Sequence, residues 1–106
     1  MGSKVTFDDT GFVLEDGPRT TAIRWKDTDR IFVFKKDLVV VDLICTTIEA
    51  GSNVLNFDED AEGWLQLVEG LPVYLPGCIQ FAEWFEKVAF PAFATNPILI
   101  YKRGAP

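Results

Sequence analysis

The sequence contains no histidine, and this absence removes the commonest routes to catalysis. Histidine is the most frequent general base and metal ligand, and it completes the Ser–His and Cys–His pairs of nucleophilic catalysis. Without it, the two cysteines cannot build a structural zinc site. Glycine-rich motifs of the kind that cradle phosphates are also absent. We therefore predict that the protein is not an enzyme, and we expect no catalytic residue, no metal site and no cofactor.

Long apolar runs are missing as well. No run approaches the roughly 20 residues that a membrane-spanning helix needs, and residues 4–9 already mix polar and apolar side chains. The cysteines, Cys45 and Cys78, are too few for a disulfide framework and have the apolar neighbours typical of buried free thiols. These features favour a cytoplasmic location.

The composition is that of a folded domain. The chain has 106 residues, of which 48% are hydrophobic and 13% aromatic, so residues 1–106 are expected to form a single domain with its own core. The aromatic side chains lie on stripes that predict core packing. Acidic rather than basic residues surround them, which argues against a platform for stacking nucleic-acid bases.

A run of β-branched and aromatic residues predicts the centre of the fold. Residues 31–34 and 39–48 are expected to be strands separated by a polar turn at residues 35–37. A second turn at residues 50–53 then leads to a strand at residues 54–57. This arrangement is an antiparallel meander.

The rest of the chain predicts further strands at residues 12–14, 19–26 and 98–101. Two segments have apolar residues at helical spacing: Trp64, Leu67, Val68 and Leu71 in the first, and Phe81, Trp84, Phe85 and Val88 in the second. The predicted class is α+β, a mostly antiparallel curved sheet of about six strands with two helices.

Charge is unevenly distributed along the chain, whose net charge is −6. Residues 37–86 contain ten acids and no Lys or Arg, whereas residues 19–36 contain six of the ten basic residues. One interpretation is that folding mixes these segments on the surface. The other is an acidic face that repels nucleic acid and attracts a basic protein. The candidate binding residues on that face are Asp42, Asp58, Asp60 and Glu62.

Each part of this acidic set has an alternative explanation. Asp42 follows a run of valines on an apolar strand face, and it is expected either to pair with Lys35 or Lys36 or to meet a partner. The acids at residues 58–62 fit the start of the first helix, whose dipole favours negative charge, and that helix is expected to end at Gly70 and Pro72. The same acids could bind calcium, but they lack the glycine and the spacing of a calcium loop.

Over residues 5–72 the chain combines Ile23 and Trp25, Ile31 six residues later, a polar hairpin, a long strand and a tryptophan-bearing helix. This pattern resembles that of the bacterial pleckstrin-homology-like domains. The resemblance implies a curved sheet in a partial barrel plugged by a helix. It also implies that the basic segment, here Arg24, Lys26, Arg30, Lys35 and Lys36, binds an anionic ligand or lipid head group. The chain departs from the family by adding a second helix and a strand after Gly77.

Three functions follow from these observations. The first is a non-catalytic protein-interaction domain, such as an inhibitor or immunity-type protein, which uses the acidic face; the chain also resembles small acidic bacterial immunity proteins in general style. The alternative is an anion- or lipid-binding domain that uses the basic segment, and only this alternative expects contact with a membrane surface. The third is a homodimer that pairs through residues 98–101 or 90–93.

Overall fold

A computed structural model describes residues 2–37, 42–89 and 97–104, with the side chains of Asp37 and Asp42 outside the description. It confirms the α+β class with antiparallel sheets. The elements, in chain order, are β1 (Ser3–Phe7), β2 (Gly11–Asp16), β3 (Arg19–Arg24), β4 (Arg30–Asp37), β5 (Asp42–Ala50), β6 (Asn53–Asp58), α1 (Trp64–Tyr74), α2 (Phe81–Ala89) and β7 (Ile98–Lys102). A short 3-10 turn, Trp25–Asp27, follows β3.

The strands form two sheets rather than one. Within the described ranges there are seven strands, in a three-stranded sheet of order β1-β2-β3 and a four-stranded sheet of order β6-β5-β4-β7. The sheets are not closed into a barrel. The structure has one strand more than the six or so that were expected, because β1 was not predicted: it has only Val5 and Phe7 at the inward positions, and Lys4 and Thr6 are polar.

The predicted meander is present as β4, β5 and β6, but its first turn was misplaced. β4 pairs with β5 from Arg30 opposite Glu49 as far as Asp37 opposite Asp42, so residues 35–37 are strand and not turn. Alternation along β4 continues through these residues, because Ile31, Val33 and Lys35 are all buried. Residues 39–41, which were predicted as strand, lie outside the described residues.

The core lies between the sheets and the helices, and it confirms the predicted packing of the aromatic residues. Trp25, Trp64 and Trp84 are all buried. Trp64 and Trp84 meet edge to face, and Trp25 stacks on Tyr74 of α1 with ring centroids 4.9 Å apart. Both helices therefore present their predicted apolar stripes to the sheets. In the part of the chain that is described, neither helix is long and apolar enough to cross a membrane.

The bounds of α1 differ from the prediction at both ends. The helix begins at Trp64 after Gly63, which has a φ of 86°, and its first turn contains no acid, so the acidic residues precede the helix instead of forming its first turn. It also continues past Gly70 and Pro72 to Tyr74. Pro72 is tolerated near the end of the helix, where buried Leu71 and Leu75 hold the last turn and the Leu75 N–H donates to the Leu71 carbonyl at 2.8 Å.

Candidate functional site

The acidic residues at positions 58–62, which we call the acidic turn, join the two sheets. The Val5 N–H donates to the Glu62 carbonyl, and the Glu62 N–H donates to the Ser3 carbonyl, both at 2.8 Å. On the other side, the Ile44 N–H donates to Glu59 Oε1 at 2.8 Å, and the Glu59 N–H donates back to the Ile44 carbonyl at 2.9 Å. The turn thus links β1 of the smaller sheet to β5 of the larger one.

The acids of this junction have two roles: some accept backbone hydrogen bonds, and others are exposed to solvent. Glu59, which sequence reasoning did not select, is tied to the β5 backbone, and Asp58 Oδ1 accepts the Asp60 N–H within the turn at 2.9 Å. Asp60 is exposed, and the Glu62 carboxylate lies 3.9 Å from Lys4 Nζ with both side chains largely exposed. At that distance and exposure the ion pair contributes little stability. Asp60 and Glu62 therefore remain accessible to a partner.

Asp42, the fourth predicted residue of the acidic face, begins β5. Its side chain lies outside the described part of the structure. The predicted pairing of Asp42 with Lys35 or Lys36, and its contact with a partner, stay predictions.

The solvent side of α1 continues the acidic turn. Leu65, Gln66, Glu69 and Val73 lie within about one third of the helix circumference, opposite the buried stripe. Leu65 is 43% exposed and Val73 is 76% exposed, although both are large apolar residues. Glu62 and Gln66 also line a common shallow groove beside β1. We call Glu62, Leu65, Gln66, Glu69 and Val73 the α1 face.

Sequence reasoning missed the apolar members of the α1 face. Leu65 and Val73 stand eight positions apart in the helix and fall outside the stripe that starts at Trp64. Apolar residues at helical spacing on the polar side of an amphipathic helix were the available signal. The acids of α1 and α2, in contrast, were apparent from the sequence. In the described ranges Glu69, Glu83 and Glu86 have no Lys or Arg nitrogen within 4.0 Å.

The five residues of the basic segment do not form one patch. Arg24 Nε lies 2.8 Å from Asp27 Oδ2, and Arg30 lies 2.6 Å from Glu49 Oε1 on the outer face of the larger sheet. Lys35 is on the opposite, buried face, where its Nζ donates to the Ala89 carbonyl at 2.6 Å. Lys26 and Lys36 are exposed.

Lys35 therefore has a structural role, which is to stabilise the end of α2. Ala89 is the last residue of α2, and a cation at a helix C-terminus interacts favourably with the helix dipole and with the final carbonyl groups. The alternation of β4 directs Lys35 inward and Lys36 outward, so the two neighbouring lysines serve different surfaces.

The thiols are poor nucleophiles in this fold. Burial raises the pKa of Cys45, and nearby Asp58 raises it further. Burial raises the pKa of Cys78 to about 12. Both cysteines are free and, at neutral pH, are held in the protonated form, which is the unreactive one. Among the described residues no three cysteines or acids come together in a group that could hold a metal ion.

Comparison with protein-family models, with curated proteins and with solved structures gave no match.

Proposed function

We propose that this chain is a non-catalytic protein-interaction domain whose α1 face, together with Asp60 of the acidic turn, binds a basic protein surface. The observation that carries the proposal is the juxtaposition of the exposed acids Glu62 and Glu69 with exposed Leu65 and Val73. Apolar contacts supply affinity in the centre of an interface, and charged residues at its rim supply steering and orientation. The net charge of −6 favours a partner of the opposite sign.

In this proposal the biological role of the domain is that of an inhibitor or immunity-type protein. Such a protein needs a stable scaffold and one exposed recognition face, and it needs no catalytic group. The raised pKa values of the thiols and the absence of histidine support this form of the proposal. If the captured partner is an enzyme or a toxin, adding the chain to that partner's own activity assay tests the inhibitory role.

The resemblance to pleckstrin-homology-like domains remains a prediction. Two antiparallel sheets support it, and α1 contacts both of them, through Tyr74 against Phe7 of β1 and through Trp64, which donates to Thr46 of β5. The open gap between the edge strands β3 and β6, and the presence of α2 and β7 after α1, are the departures from that plan. Lipid binding through the basic segment is not favoured by the positions of its residues, since Lys35 is buried on one face of the larger sheet and Arg30 lies on the other.

A homodimer paired through β7 is also not favoured. β7 is the edge strand of the larger sheet, but its Ile100 carbonyl already accepts the Ile79 N–H at 2.9 Å. The segment that joins α1 to α2 therefore occupies part of the edge that a second copy would need. Residues 90–93, the other predicted dimer contact, lie outside the described residues.

Affinity capture with matched charge variants tests the proposed function. The immobilised chain is exposed to a lysate of its source organism at low and at high salt, and the retained proteins are identified by mass spectrometry. The face variant carries Glu62→Gln and Glu69→Gln. The control variant carries Asp9→Asn and Glu15→Gln, which change the net charge equally at exposed positions in the turn before β2 and on β2 itself.

We expect the wild-type chain and the control variant to retain the same basic protein at low salt, and the face variant to lose it. Val73→Ser should weaken capture at both salt concentrations, because it removes apolar contact area and leaves the charge unchanged. Equal loss with the face and control variants would show that only the total charge matters. Retention by all variants would exclude the α1 face.

A further inference from the structure

A cleft of about 510 Å³ lies where the two sheets approach each other without hydrogen bonding. One side is the end of β3, and the other is the turn between β5 and β6. Residues from three separate parts of the chain line it, including Arg24, Asp27, Asp29, Ser52, Asn53 and Arg103. Its volume is within the range of about 300–1,000 Å³ that is typical of small-molecule sites.

One wall of the cleft is fixed by Asp29. Its Oδ2 accepts the Gly51 N–H at 2.7 Å, and its Oδ1 lies 3.3 Å from Arg103 Nε. Arg103 Nε also donates to the Thr28 carbonyl at 3.1 Å, and the Arg103 backbone N–H donates to the Asp29 carbonyl at 2.8 Å. The Arg103 guanidinium is therefore held in place by contacts to a segment more than seventy residues away in sequence.

The opposite wall also contains an arginine that is paired with an aspartate. Arg24 Nε lies 2.8 Å from Asp27 Oδ2. In both arginines the contact to the aspartate is made through Nε, and roughly half of each side chain is exposed (58% for Arg24 and 47% for Arg103). A guanidinium carries more N–H donors than one carboxylate can accept, so each arginine keeps donors for a second acceptor.

The charges of the lining select the kind of ligand. Two arginines and two aspartates leave the lining with no net charge. A planar carboxylate with a single negative charge matches a guanidinium fork, whereas a phosphate dianion would meet stronger repulsion from Asp27 and Asp29 than a monoanion does. The exposed side chains of Ser52 and Asn53 provide neutral hydrogen-bonding groups beside the arginines.

We propose that this cleft binds a small molecule through its carboxylate, with Arg24 and Arg103 as the binding residues and Ser52 and Asn53 in contact with the polar remainder. The site shares no residue with the α1 face, so it does not depend on the proposed protein interaction. It also uses Arg103, which lies outside the basic segment that the sequence indicated.

A titration followed by NMR tests the site. The probe is succinamate, which has one carboxylate and one amide, and the matched control is succinamide, in which that carboxylate is replaced by a second amide. Sodium chloride keeps the ionic strength constant. We expect succinamate to cause saturable shifts of the Arg24 and Arg103 Nε–H signals and of the backbone amides at residues 51–53. We expect succinamide to cause none.

Variants then separate recognition from general charge attraction. Arg24→Gln and Arg103→Gln should each weaken succinamate binding by about tenfold or more, because each removes charge-assisted hydrogen bonds. Arg103→Lys should also weaken it, since it keeps the charge but loses the planar fork. Lys26→Gln, at an exposed lysine that does not line the cleft, should leave the affinity unchanged.

Three results would overturn the assignment: no saturable shift with succinamate, tighter binding of inorganic phosphate than of succinamate, or equal weakening by Lys26→Gln. Urea unfolding of each variant shows whether the fold is kept. If Arg103→Gln unfolds because it loses the contacts to Asp29 and Thr28, Arg24→Gln decides the question, since its ion pair is local.

Discussion

Replacing Gly63 by alanine should break the junction between the two sheets. Gly63 has a φ of 86°, and a Cβ built on it would overlap the Val5 carbonyl oxygen, far inside van der Waals contact. A backbone oxygen cannot rotate away like a side chain, so β1 has to move away from the acidic turn. The movement should disrupt the two hydrogen bonds that link Ser3 and Val5 to Glu62.

The expected decrease in the free energy of unfolding follows from a comparison with Gly77. That residue has a φ of 94°, and nothing lies within 4 Å of a Cβ built on it. Alanine at a left-handed position costs about 1–2 kcal/mol, and this cost is common to Gly63→Ala and Gly77→Ala. Two lost backbone hydrogen bonds, at about 0.5–1.5 kcal/mol each, add about 1–3 kcal/mol for Gly63 alone.

Urea unfolding followed by tryptophan fluorescence measures both variants, because the three tryptophans are buried in the native state. Hydrogen exchange at the Val5 and Glu62 amides reports on the junction itself, and we expect faster exchange only in Gly63→Ala. A difference of less than about 0.5 kcal/mol between the free energies of unfolding of the two variants would show that the junction contributes nothing measurable to stability.

Three further predictions concern buried polar groups. Lys35→Met should lower the free energy of unfolding by about 1–3 kcal/mol, because the Ala89 carbonyl at the end of α2 loses a charged donor. Thr46→Val should cost about 1–3 kcal/mol, since the buried Trp64 indole N–H donates to the Thr46 hydroxyl at 2.9 Å and would lose its acceptor. Stability should fall above about pH 9 in the wild-type chain, because the pKa of Cys78 is raised from 9.0 to about 12 by folding. In that window the unfolded Cys78 thiol has lost its proton while the folded thiol retains it, so Cys78 contributes a negative slope of at most about 1.4 kcal/mol per pH unit.

Each of these predictions has a matched control, measured by the same urea titrations. Lys36→Met changes an exposed lysine of the same strand and should stay within about 0.5 kcal/mol of wild type. Thr47→Val removes a hydroxyl whose partner is the exposed Asn56, and its cost should be smaller than that of Thr46→Val. Cys78→Ala should make the slope between pH 9 and 11 less steep and leave the contribution of Cys45. Equal costs within either pair, or an unchanged slope in Cys78→Ala, would contradict the assigned contacts.

The sequence alone determined the local elements that have a strong period. The stripe from Trp64 to Leu71, the alternation in residues 31–34 and the β-branched run before Ala50 each identify an element whose buried face is repeated along the chain. Such patterns can be recognised in a sequence because buried positions recur at a fixed spacing along a helix or a strand. The unequal distribution of acids and bases could also be read from the sequence, because it depends only on residue identity.

Only the tertiary structure decided which charged residues are available. Lys35 and Lys36 are neighbours in sequence, yet one caps a helix that ends 54 residues later and the other is exposed. The acidic turn looked like a helix start but is a junction, because its backbone partners come from β1 and β5. The cleft is assembled from Arg24 and Arg103, which no local pattern connects. Hydrogen bonds between distant segments depend on how the sheets meet, and that information is not periodic in the sequence.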